Sequence, residues 1–189
     1  MEFIPEQEVI ELMNDMGVVK ESAEDYSLLT MSTDCLSAKH CLCNDDTPCE
    51  GSEGTFCKEM STEAMIQATI GSIHKLHGGQ TIMMPATKWR SVFDAVAFSM
   101  AGDESWQEFD ATATVRLNTQ DPLLFESSDE QTLTGLVAAL MNDGEGEAQG
   151  VFLFPTGAPA LVHIVPDGPV KFWFGTQALA DEVSEAYVS

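Results

Sequence analysis

All five cysteines of the 189-residue chain fall within one short stretch, spaced Cys35-x5-Cys41-x-Cys43-x5-Cys49-x7-Cys57, with His40 directly before Cys41. Thiolates and imidazoles are soft or borderline donors, so four of them wrapped around one cation make a tetrahedral zinc site. Cys41, Cys43, Cys49 and Cys57 are the expected ligands, with Cys35 and His40 in reserve, and Asp45, Asp46, Glu50 and Glu53 add negative charge that favours a cation. The spacing is not that of the paired C-x-x-C knuckles of zinc fingers, and an iron–sulfur cluster draws on the same thiolates. Two other outcomes stay open: one or two disulfides, which with an odd cysteine count leave one thiol free, or unconnected reduced thiols. The stretch has too few apolar residues to order itself, so some cross-link is expected wherever it is ordered.

A nucleophilic cysteine is the enzymatic version of the same idea. Cys57 lies just before a helix expected to start near Ser61, where a thiol pKa falls, but the surrounding carboxylates work against a thiolate. His74 and His77 are three apart near the end of that helix, where imidazoles complement the dipole or share an ion. His163, between Val162 and Ile164, reads as a satisfied, partly buried histidine. Asp143, Glu145 and Glu147 alternate with glycine, but a calcium loop starting at Asp143 needs an acid where Phe154 stands, so the run reads as a charged turn. The chain contains no G-x-S-x-G, phosphate-binding glycine loop, dinucleotide fingerprint or H-E-x-x-H.

Charge narrows the partners. Thirty-one acidic residues against eight basic ones give a formal net charge of −23. Such a field repels nucleic acid and anionic membrane, which need Lys and Arg to displace counterions, and attracts cations and basic proteins. A solvated, salt-adapted surface is one reading; an acidic decoy presenting carboxylates in place of DNA phosphates is another. Met1-Glu2-Phe3-Ile4-Pro5 lacks a basic n-region and an apolar h-region, and prolines and glycines divide the uncharged run Ala148 to Pro166 into strand-sized pieces. The expectation is a cytoplasmic protein whose clustered thiols serve metal or redox chemistry.

The elements that must position these groups follow from periodicity. A first helix is expected from Pro5 to Met16, then a short strand or packed loop from Tyr26 to Met31, then irregular loop from Ser32 to about Lys58. A second helix opens at Ser61 and ends at Gly78-Gly79, followed by a strand from Gln80 to Met84. Trp89 to Met100 reads as helix with strand as the alternative, and Ala111 to Leu117 as strand. Ser128 or Asp129 caps a helix from Glu130 to Met141. The meander Val151–Phe154, Ala160–Val165 and Val170–Phe174, joined by Pro- and Gly-containing turns, precedes a last helix from about Gln177 to Tyr187. In F-W-F, Trp173 takes the sheet face opposite Phe172 and Phe174, and marks an interface if that face is uncovered.

The fold expected is α+β: an antiparallel sheet of about five strands with flanking helices. Residues 1–58 form a helix plus Cys-rich loop, an appendage able to pack on the core, and residues 59–189 form the α+β domain. In element order alone the second part resembles profilin-like and roadblock-like modules, a resemblance that implies an interaction platform. The leading functional expectation is a non-enzymatic, acidic interaction or regulatory protein with a structural zinc and a basic protein partner, without direct nucleic-acid or membrane binding. A thiol-dependent enzyme or redox protein, and a DNA-mimic inhibitor, are the alternatives.

Overall fold

Short apolar runs bounded by Gly, Pro and Asp make the strands, and longer runs with a 3.6-residue period make the helices. In a computed structural model describing residues 1–22, 27–42, 54–55, 62–75 and 78–188, the chain starts with β1 (Glu2–Phe3), α1 (Glu6–Asp15), β2 (Val18–Ser22) and β3 (Ser27–Met31). Next come β4 (Ala38–Leu42), β5 (Gly54–Thr55), α2 (Thr62–His74), β6 (Thr81–Pro85), α3 (Trp89–Val96) and α4 (Glu104–Ala113). The order closes with β7 (Leu123–Phe125), α5 (Glu130–Asp143), β8 (Val151–Pro155), β9 (Ala160–Ile164), β10 (Val170–Phe174) and α6 (Gln177–Val188).

The chain is an α+β protein. One eight-stranded sheet runs β1-β7-β6-β8-β9-β10-β4-β5, and β2 and β3 form a separate two-stranded sheet. Neighbours in the large sheet are antiparallel except β4 and β5, which are parallel. The expected meander β8-β9-β10 forms, and it lies at the centre of the sheet. The sheet exceeds the expected five strands because β1, β5 and β7 are too short to carry a readable alternation, and because β4 comes out of the Cys-rich stretch expected to be loop.

Strand alternation divides the interior in two. Met83, Leu123, Val151, Leu153, Val162, Phe172 and Phe174 face the helices, joining Trp89, Phe93, Trp106, Leu133, Leu136 and Leu140 in the larger core. Ile82, Met84, Phe152, Phe154, Leu161 and Trp173 face the other way, onto Val9 and Met13 of α1 and Val18, Leu29 and Met31 of the hairpin. From the segment 1–58, then, β1, β4 and β5 join the large sheet, while α1 and β2–β3 cover its second face.

Two local expectations give way to tertiary structure. Ala111 to Leu117 is not a strand: Asp103 accepts a 2.8 Å hydrogen bond from the Trp106 amide, starts α4, and sends Trp106, Phe109 and Ala113 into the larger core at helical spacing. The remaining residues Thr114–Arg116 form a 3-10 turn that leaves Val115 exposed. At α5, Asp129 does not cap the helix through its side chain; its carboxylate accepts from the Glu126 amide at 2.9 Å, one turn earlier, in the box that closes the 3-10 turn Ser127–Asp129.

Candidate functional site

The five cysteines distribute differently from a single four-thiolate cluster. Cys41 lies in β4, fully buried and disulfide-bonded to a partner outside the described residues. Cys35 is exposed and free, in the turn before β4. Cys43, Cys49 and Cys57 lie outside the described residues, as do His77 and the Ser61 cap. His40 and Cys41 are consecutive strand residues and so turn to opposite faces. The register confirms it: His40 is opposite Phe172 on the helix side and its ring is 5.7 Å from Phe174, whereas Cys41 is opposite Lys171 on the second face. The two cannot reach one ion without leaving the strand. Among the described residues, no group of three or more His, Cys, Asp or Glu side chains gathers where it could hold a metal.

Both described histidines outside this stretch are buried, where they avoid charge. His74 Nδ1 is 2.9 Å from Thr81 Oγ1, and burial lowers its pKa below 6.5 against the opposing pull of Glu130. It is therefore a packed side chain, not a solvated partner for the α2 dipole. His163 stacks on Phe152 at 4.2 Å and 9°, and burial, helped by the neighbouring Lys171 cation, lowers its pKa to about 4. Contrary to the expected satisfied histidine, its Nε2 has no hydrogen-bond partner among the described residues. The acidic turn near Asp143 is held by protein donors and acceptors: Ser99, from a distant 3-10 turn, donates to Asp143, and the Glu145 amide donates to Gln149 Oε1 at 2.7 Å.

Trp173 does not mark a free surface. It is only 6% exposed, under the chain's own α1–hairpin layer, with Lys39 Nζ 5.5 Å from its ring centre. The layer that covers it opens a different site. Between α1 and β2 runs a groove of about 260 Å³, whose α1 wall is Glu6, Val9, Ile10, Met13 and Asn14, one helical stripe. Its strand wall is Val18, Val19 and Lys20, and Met84 of β6 also lines it. Ile10 and Val19 are 40% and 42% exposed here. Lys20 pairs with Glu6 at 3.6 Å, and α1 otherwise presents Glu8, Glu11 and Asp15 to solvent with no basic residue on the helix. The groove is apolar apart from the Glu6–Lys20 pair and Asn14, and the other acids of α1 lie on the solvent side of the helix.

A roomier depression of about 760 Å³ lies between α2 and α5, lined by Gln67, Gly71, Lys75, Gln131, Thr134 and Gly135 among others. Both its walls are helices with internally paired backbones, and Lys75 closes on Glu130 at 3.1 Å. Its lining mixes polar and apolar side chains, and its one cation among the described residues is the paired Lys75. Phe98 and Val115 are also exposed, but they stand beyond opposite ends of α4 and form no shared cavity.

No protein family, curated protein or solved structure matches the chain. The α1–β2 groove was not legible beforehand, because the sequence suggested no element over Val18–Ser22. The signal available was the β-branched pair Val18-Val19 directly after Gly17, in a segment that pairs with Ser27–Met31 to make a hairpin.

Proposed function

We propose that this protein is a non-enzymatic, acidic interaction module that receives a basic protein partner in the groove between α1 and β2. The observation that carries the reading is the combination of half-exposed Ile10 and Val19 with a helix whose charged residues are all acidic. Exposed apolar side chains in a groove supply affinity by leaving water, and the carboxylates on the solvent side of the same helix add to a field that favours Lys and Arg and repels phosphate. The net charge of −23 extends that selection over the whole molecule and accelerates encounter with a cation-rich partner.

Selection from a displayed library of random peptides tests this. Enrichment in peptides that combine Lys or Arg with apolar residues is expected, along with its loss in Ile10→Glu and Val19→Glu. Enrichment that ignores both substitutions would put binding elsewhere, and no enrichment would defeat the reading.

The disulfide at Cys41 favours one second reading, a protein whose thiols exchange with an outside redox couple. Its test is whether Cys41 reduces reversibly in a glutathione buffer while the fold persists. Zinc held by Cys41, Cys43, Cys49 and Cys57, with Cys35 in reserve, belongs to the reduced state alone, since a disulfide sulfur is no thiolate ligand. Elemental analysis after anaerobic reduction and zinc addition decides it: one zinc per chain supports the site, and a metal-free reduced chain removes it.

A further inference from the structure

From the backbone that lines the same groove we infer that the partner binds as an added β-strand, an extended segment alternating apolar with Lys or Arg residues, paired to the outer edge of β2. The inference rests on the interaction-module reading above and names its binding mode.

Three consecutive residues of β2, Val18, Val19 and Lys20, line the groove. A strand face exposes only alternate side chains, so consecutive lining residues mean that the groove follows the strand's edge. Among the described residues β2 pairs with β3 alone, in a two-stranded sheet. Its outer edge therefore carries backbone N–H and C=O groups with no strand beside them among the described residues, which an extended chain satisfies. The facing wall is a helical stripe rather than another strand, so a strand entering the groove pairs on one side and packs on the other.

Alternation then sets the sequence of the occupant. Side chains turned into the groove meet an apolar lining whose half-exposed members are Ile10 and Val19, with Val9, Met13 and Met84 already buried, and this favours apolar partners. Those turned outward meet solvent in the field of a chain of net charge −23, which favours Lys and Arg. Lys20 does not oppose this, because Glu6 already holds it at 3.6 Å. A second copy of this chain fits poorly: its 31 acidic residues against eight basic ones would set like charge against like.

The test uses the full chain and a blocked peptide of alternating lysine and valine matched to β2 in length, followed by fluorescence anisotropy at low salt. A second peptide carries N-methyl groups on alternate backbone nitrogens, which removes strand pairing and keeps the side chains. Strand addition predicts that N-methylation on the pairing edge weakens binding about tenfold or more, and that the parent peptide slows amide hydrogen exchange across Val18–Ser22. Equal binding of the two peptides overturns strand addition and leaves the acidic module standing. Failure of the lysine–valine peptide after a successful library selection overturns this inference alone, whereas failure of both removes the reading beneath it.

Discussion

Burial on the sheet's second face lowers the His163 pKa from 6.5 to about 4, and Lys171 across the strand pair acts in the same direction. Above pH 6.5 the imidazole is neutral in both folded and unfolded chains, so it contributes no pH dependence. As pH falls below 6.5 the unfolded chain takes up the proton first, and stability declines until the folded state also protonates near pH 4. The loss amounts to about 3 kcal/mol across that window. His163→Phe keeps a ring against Phe152 and removes the titration, so its urea-unfolding stability should be flatter between pH 6.5 and 4 than the parent's; parallel curves would contradict the assignment. His74, also lowered by burial, stays in both proteins and does not disturb the comparison. Gly17 is the second residue whose role is set by its surroundings. Its φ is +72°, and a Cβ there would stand 2.4 Å from Cys35 Cβ. Gly17→Ala should lower unfolding free energy by about 2 kcal/mol or more, and Cys35→Ala should not restore it, because the clashing Cβ remains.

At the scale of elements, α1 and the β2–β3 hairpin act as a lid over the second face of the sheet and also as the two walls of the groove. Trp173 fastens that layer from below. Trp173→Ala should cost about 3–5 kcal/mol in chemical denaturation, as expected for a buried aromatic ring. Ile10→Glu and Val19→Glu act on the outside of the same layer, and each should move stability by no more than about 0.5 kcal/mol while removing peptide binding. A large stability loss in either variant would mean that these side chains belong to the core. The contrast between inner and outer positions was half legible. Val9, Met13 and Met16 announced a buried helix face, but Ile10 and Leu12 shared the same broad stripe. Only the placement of β2 beside α1 shows that Ile10 turns to a groove while Val9 turns to the core.

For the whole molecule, a charge of −23 makes salt act on stability and on binding with opposite signs. Between about 0.01 M and 1 M salt the Debye length shrinks from roughly 30 Å to 3 Å, which relieves self-repulsion in the folded chain. Tm should therefore rise with salt, while affinity for the lysine–valine peptide should fall. A Tm independent of salt would show that the charges are already spread thinly enough to be harmless. The Cys41 disulfide adds a second global constraint, since β4 lies between β10 and β5 in the large sheet. Reduction should lower stability by about 2–4 kcal/mol. Under native conditions alkylation should label Cys35 and leave Cys41 untouched, as their exposures require.

The α+β class, the central meander, the first helix and the anionic character were properties of the sequence alone, because each depends on local spacing or on a sum over side chains. The strand β4, the helical state of Glu104–Ala113 and the burial of Trp173 were not. Each is decided by what lies opposite: a neighbouring strand for the first, the aromatic core for the second, the α1–hairpin layer for the third. The groove belongs to the same class, since Glu6, Ile10, Val19 and Met84 meet only where a helix, a strand edge and a distant sheet strand converge. Spacing along the chain records a residue's own preferences, and it carries no direct record of which distant backbone will arrive beside it.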